Sequence, residues 1–180
     1  MHGVPYDLPI TGYGGRTVNR LRLYSAKAAS EFDLQVFHRG DYLKAMERQI
    51  ASEMISKVLY PSDSIEAGRE LRLVQEYFLV SCALDDIIKT YLKSHDSFDD
   101  FPDKVAIQLN DTHPSLAVAE LMRRLLDEHE LPWGHRLGRL RRRPWRIPTT
   151  RCYPKPWRNG LCPYSNTYLP RHLQIIYDIN

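Results

Sequence analysis

The chain has 180 residues and 21.1 kDa, with 43% hydrophobic and 26% charged residues, a mean hydropathy of −0.46 and a formal net charge of +3. That is the composition of a soluble globular protein, and no apolar run approaches the ~18 residues that span a bilayer. The length suits one compact domain or a slice of a larger protein. The amino terminus Met1-His2-Gly3-Val4-Pro5-Tyr6-Asp7 lacks the basic-then-apolar layout of a secretory leader, and Cys82, Cys152 and Cys162 show no metal-ligand spacing. The expectation is a cytoplasmic chain with reduced thiols and no membrane segment.

The charge is unevenly divided. Residues 1–133 carry 15 basic and 21 acidic side chains, net −6. Residues 134–168 carry eight arginines, Lys155 and no acidic residue, net +9, while Arg171 and Asp178 balance in residues 169–180.

In chain order, Pro5 to Gly15 is rich in Pro, Gly and Tyr and reads as loop and turn. Val18 to Tyr24 alternates Leu21 and Leu23 with Arg20, Arg22 and Tyr24, the pattern of a half-exposed strand. From Asp41 to Val58, Leu43, Met46, Ile50, Met54, Ile55 and Val58 recur at three- and four-residue steps, which predicts a helix opened by Gly40-Asp41. Tyr60-Pro61-Ser62-Asp63-Ser64 breaks it. A long helix follows from about Ala67 to Lys93, apolar on more than one face, and then an acidic connection from Ser94 to Pro102. Lys104 to Leu109 is short and β-branched and reads as a buried strand. Pro114 opens an amphipathic helix running to about His129. Strands and helices interleave, so the fold class is α/β. After Trp133 the periodicity stops, and it returns at Leu169 with Leu173, Ile175, Ile176 and Ile179, the start of another helix. The strands at 18–24 and 105–109 call for partners outside this chain, which would leave edges and apolar helix faces exposed.

Several strings are specific. Pro5-Tyr6-Asp7 with Gly12-Tyr13, Leu21-Arg22-Leu23, Ser25-Ala26-Lys27-Ala28, Val58-Leu59-Tyr60-Pro61, Glu70-Leu71-Arg72-Leu73, Gln75-Glu76-Tyr77-Phe78, Gln108-Leu109-Asn110-Asp111-Thr112-His113-Pro114-Ser115-Leu116 and Leu169-Pro170-Arg171-His172-Leu173 stand in the order found in glycogen (α-glucan) phosphorylases. The chain resembles that family over residues 1–133 and 169–180.

The resemblance implies part of the N-terminal Rossmann-like lobe of a GT-B type glycosyltransferase, incomplete in this chain. The family moves a terminal glucosyl unit of an α-1,4-glucan to phosphate, giving glucose 1-phosphate, and its members are usually dimeric. Its cofactor, pyridoxal phosphate, is held by a lysine of the other lobe that has no counterpart here. No complete catalytic set and no metal site are therefore expected, and the chain by itself is expected to be inactive. Asp111 and His113 are the substrate-binding candidates. They follow a strand and precede a helix, where open α/β sheets place ligands, and a carboxylate and an imidazole there can orient sugar hydroxyls. The plainer alternative is that Asp111 or Thr112 caps the helix. Asp63 and Ser64 fall in the family's gating loop, where Ser62 and Ser64 replace the usual asparagines; a simple turn is the alternative. Arg72, Arg123 and Arg124 read as exposed helix charges, and His2, His38, His95, His129 and His135 as surface residues. Lys89-Thr90 follows Ile87-Ile88 where animal members carry an arginine pair, so activation by AMP is not expected.

Residues 134–168 depart from the family although it carries a segment of nearly this length. Suppose Pro148 to Trp157 are encoded CCA ACC ACA CGG TGC TAC CCG AAG CCC TGG. Reading from the third base gives N-H-T-V-L-P-E-A-L, similar to the family's sequence at this place, whose histidine belongs to the sugar pocket. Continuing through Arg158 to Leu161 gives E-E-W-P-V, again family-like. The block therefore reads as out-of-frame translation and irregular, with the frame restored just before Leu169. The rival is a basic nucleic-acid-binding segment, in which Arg136, Arg139, Arg141, Arg142, Arg143 and Arg146 bind phosphates while Trp145, Tyr153 and Trp157 stack on bases. A non-catalytic binding fragment is the third possibility.

Overall fold

A computed structural model describes residues 1–29, 34–134, 145–146 and 167–179. The chain divides into two compact units, Met1–Phe78 and Leu79–Asn180. Among the described residues no helix is long and apolar enough to cross a membrane.

In the first unit, β1 (His2–Thr11) and β2 (Val18–Lys27) form an antiparallel hairpin, with His2 opposite Lys27 and Thr11 opposite Val18. Most of the stretch expected as loop is thus strand, and only Tyr13–Gly15 make the turn, with Gly14 and Gly15 at φ 73° and 69°. The prolines permit this because of their parity. Gly12 N–H donates to Thr17 O at 2.8 Å, so even-numbered residues of β1 take the hydrogen-bonded positions. Pro5 and Pro9 are odd-numbered, point away from β2 and give up no ladder bond. They also blunt that outer edge against further strand addition. Asp7 lies opposite Arg22 and receives both arms of its guanidinium at 2.7 Å.

After α1 (Leu34–His38), α2 (Tyr42–Lys57) starts where the sequence predicts, with Asp41 accepting a hydrogen bond from Lys44 N–H at 3.2 Å. It covers the outer edge of β2, and Ser56 Oγ accepts from Ala26 N–H at 2.9 Å. Ala26 and Ala45 are buried, but Leu43, Met46, Ile50 and Met54 are exposed. So are Tyr6, Leu8, Leu21 and Leu23 on one face of the hairpin. Apolar faces expected to lie open do so among the described residues. The chain supplies β2 with a partner in β1, however, where one outside the chain was expected.

α3 (Glu66–Leu92) belongs to the first unit through Phe78 and to the second thereafter. In the second unit its Val80, Leu84, Ile88 and Tyr91 are buried. The acidic connection ends in a short helix, α4 (Phe101–Lys104), because Phe101 is fully buried with its ring edge-on to Tyr91 at 5.0 Å. The expected buried strand shrinks to β3 (Ile107–Gln108), with Ile107 half-buried and Gln108 exposed. Its partner among the described residues is the two-residue parallel strand β4 (Trp145–Arg146), too short to cover a longer run. α5 (Leu116–Arg123) continues through a π-helical turn, Arg124–Glu128. The amphipathic pattern continues to Glu128, where Asp127 and Glu128 are exposed, yet α5 itself is buried at every position from Leu116 to Met122. α6 (Pro170–Ile179) packs on it through a side carrying buried His172 and Ile175.

Of the anomalous block, Gly134, Trp145, Arg146, Thr167 and Tyr168 are described, and Trp145 and Arg146 are in strand pairing. Arg136, Arg139, Arg141, Arg142, Arg143, Tyr153, Trp157, Cys152, Cys162 and His135 lie outside the described residues, as do residues 148–161, on which the reading of 134–168 as out-of-frame rests, and most of the basic segment.

Candidate functional site

Leu109, 2% exposed, anchors the chain after β3. Asp111 then turns it with φ at 65°, a left-handed conformation that only a few non-glycine residues tolerate. Asp111 Oδ1 accepts from Thr112 N–H at 2.6 Å, which locks the turn from within. His113–Ser115 form a single 3-10 turn, with Pro114 where a missing N–H costs nothing, and lead into α5. Neither Thr112 nor Ser115 caps the helix with its side chain, and the Asp111 carboxylate accepts from the Thr112 N–H within the turn.

His113 Nε2 stands 3.7 Å from Asp111 Oδ2, with both side chains open to solvent. One carboxylate oxygen fixes the loop and the other sits beside the imidazole. The pair offers acceptors and a donor on one exposed edge, which suits hydroxyl-bearing ligands. Asp63 and Ser64 lie in the first unit, on the loop between α2 and α3. There Ser62 Oγ and Ser64 Oγ are 2.7 Å apart and Tyr60 has φ at 57°. Asp111 and His113 are thus brought together in one unit, and Asp63 and Ser64 in the other.

The family model described as carbohydrate phosphorylase matches residues 1–180. The chain belongs to the carbohydrate phosphorylase family. It is 45% identical over 178 residues to a glycogen phosphorylase of Synechocystis sp., covering 99% of this chain and 21% of that protein. It is 45% identical to the glycogen phosphorylase of Chlamydia pneumoniae, covering 97% and 21%, and 44% identical to the muscle form of Ovis aries, covering 98% and 22%. This phosphorylase chain spans about one fifth of the length of these relatives.

In this phosphorylase chain Arg123 and Arg124, expected as exposed helix charges, are built into a buried cluster. Glu120, fully buried, accepts from His172 Nε2 at 2.6 Å, Arg123 Nε at 2.7 Å and Arg124 Nε at 2.8 Å. Arg124, 9% exposed, also reaches Asp85 Oδ1 and Ser81 Oγ, both at 3.0 Å. Burial alone would raise the Glu120 carboxyl. Hydrogen bonds from His172 and Arg123, the Arg123 charge and a hydrogen bond from Arg124 outweigh it and hold the carboxyl at about 2. Nearby, Arg171 clamps Asp127 at 2.6 and 2.9 Å. The cluster ties α3, α5 and α6 together. Sequence reasoning missed it, although a glutamate inside an apolar helix with arginines three and four residues on is a legible signal.

Of the histidines read as surface residues, His2 and His38 are exposed. His95 stacks on Tyr91 and His129 packs edgewise on Phe98, so both are half-buried. A cleft of about 590 Å³ lined by Asp96, Asp99, Asp100, Asp103, Phe98 and His129 holds none of the candidate site residues. Among the described residues no three His, Cys, Asp or Glu side chains are placed to hold a metal ion.

Proposed function

We propose that this chain is part of the N-terminal lobe of a GT-B type α-glucan phosphorylase, an enzyme that passes a terminal glucosyl unit of an α-1,4-glucan to phosphate. The observation that carries the reading is the family match over residues 1–180 together with the exposed Asp111–His113 pair at the end of β3. In this reading Asp111 and His113 orient glucosyl hydroxyls, and Asp63 and Ser64 belong to a loop that corresponds to the family's gating loop. Pyridoxal phosphate supplies phosphate-mediated proton transfer in such an enzyme. The residues described here do not suit its attachment: a Schiff-base lysine is desolvated, whereas every described lysine is exposed, and Lys27, Lys57 and Lys89 lie beside carboxylates. The lysine belongs to the missing lobe in this reading, and no step is routed through the cofactor here. The chain alone is inactive and acts in the cytoplasm only as part of a dimeric enzyme. Residues 134–168 are read as out-of-frame translation, to be tested by sequencing the encoding DNA, where a single clean frame would reject it.

Two measurements test the function. The purified chain, given glycogen and phosphate with added pyridoxal phosphate, should release no glucose 1-phosphate, and turnover refutes the incomplete-site reading. Residues 1–133, grafted in place of the matching segment of the Synechocystis enzyme, should support phosphorolysis. In that graft Asp111→Asn and His113→Ala should each lower kcat/KM by about tenfold or more, the cost of a lost hydrogen bond to substrate. Unchanged kcat/KM removes both residues from the sugar site.

A further inference from the structure

The loop that carries Asp63 and Ser64 runs back along α3 and touches it at successive points. Gln75 Nε2, on a side chain 8% exposed, donates to Val58 O at 2.8 Å. The Arg72 guanidinium lies 5.8 Å from the centre of the Tyr60 ring, within cation–π range. A Cβ added at Gly68 would fall on the Ser62 carbonyl oxygen, so the loop backbone reaches the helix only because residue 68 lacks a side chain. Arg69 Nη1 donates to Asp63 O at 2.9 Å. Residues 68, 72 and 75 are spaced four and three apart and share one helix face. Their loop contacts descend from 62 through 60 to 58, so loop and helix run antiparallel, rung against rung.

These rungs take carbonyl oxygens and one aromatic ring, and none uses the Asp63 carboxylate. A loop gripped by its backbone can present Asp63 in a fixed place while its side chain stays exposed. The strained φ of 57° at Tyr60, just before Pro61, is the bend that lets the chain leave α2 and fold onto this face.

We infer that Gly68, Arg69, Arg72 and Gln75 are positioning residues that hold the 58–64 loop against α3 in the conformation seen here, contacts that must release for the loop to move. As a role in phosphorolysis this rests on the reading of that loop as a gate. The anchoring itself is independent of the reading.

The test uses the full 180-residue chain with Cys82, Cys152 and Cys162 changed to Ser and a nitroxide label at Ser64→Cys. Its electron paramagnetic resonance spectrum should show an immobilised component. Gly68→Ala and Gln75→Met should each raise the mobile fraction by about twofold or more, as expected when local anchors are lost. Arg69→Gln should do so less, and Arg69→Lys should restore the immobilised line. Ala is the better helix former, so helix propensity alone makes Gly68→Ala raise Tm; displacement of the Ser62 carbonyl makes it lower Tm. An unchanged line shape with a raised Tm overturns the anchoring. If Gly68→Ala loses its helical circular dichroism, Gln75→Met decides, because it adds no clash; an unchanged spectrum there overturns the proposal. In the 1–133 graft, Gly68→Ala should change KM for glycogen. A freed label with unchanged KM and kcat rejects the gate reading and leaves the anchoring standing.

Discussion

α2 and α5 bury opposite kinds of side chain. α2 turns Ala45, Gln49, Ser52, Glu53 and Ser56 inward and leaves Leu43, Met46, Ile50 and Met54 in water. α5 is enclosed on all sides, and even its glutamate is fully buried. The first helix is held by a cap, a hydrogen bond to β2 and small side chains, while most of its apolar stripe stays exposed and only Ile55 of it is half-buried. The second is held by packing and by a charge cluster that costs heavily if broken. Stability should therefore be concentrated in the second unit, and the first unit should open more readily.

The largest effect that sharpens this contrast is Glu120→Ala. It removes a fully buried acceptor from Arg123, Arg124 and His172 at once, leaving Arg124 only Asp85, Ser81 and Glu128, so we expect a loss of about 3 kcal/mol in urea denaturation of the second unit. A loss below about 1 kcal/mol would mean that the cluster is not the anchor its geometry implies. Acid should act on the same group. The Glu120 carboxyl is held at about 2 against an ordinary 4.5, so its contribution is complete above pH 4.5 and is lost as pH falls through about 2. That contribution is about 3 kcal/mol. A denaturation series from pH 5 to pH 2 should show it in the wild type and much less of it in Glu120→Gln.

Smaller effects belong to the first unit. Asp41→Ala removes the cap of α2 and should cost about 1 kcal/mol, read as faster amide exchange in its first turns. Ser56→Ala leaves Ala26 N–H without its acceptor and should cost about 1 kcal/mol. The smallest effect is expected on the exposed stripe, where Met46→Lys or Ile50→Lys should change stability by no more than about 0.5 kcal/mol while reducing binding of an apolar dye. A loss above about 1 kcal/mol there would break the comparison, because it would show the stripe to be covered in solution.

The local half of the fold was legible. Asp41 before a 3.6-residue apolar pattern marked the start of α2, Pro114 marked the entry to α5, and the string from Gln108 to Leu116 identified the family and the candidate pair Asp111 and His113 together. β1 was missed because proline and glycine content reads as loop, whereas what matters is the parity of Pro5 and Pro9 against a partner strand that composition does not reveal. The β3 strand was overestimated because a β-branched run says nothing about the length of its neighbour. Arg123 and Arg124 were misplaced because a charge run on a helix is usually solvated.

The sequence by itself determined where the longer helices begin, which family the chain belongs to and which residues are candidates for a site, since these depend on side chains a few positions apart. The tertiary structure decided what is buried. Glu120 meets His172 across 52 positions, and Arg124 meets Asp85 across 39 and Ser81 across 43. A buried charge is tolerated only where such distant partners converge on it. No local pattern encodes that convergence, just as none shows that Gly68 is small because a loop carbonyl passes over it.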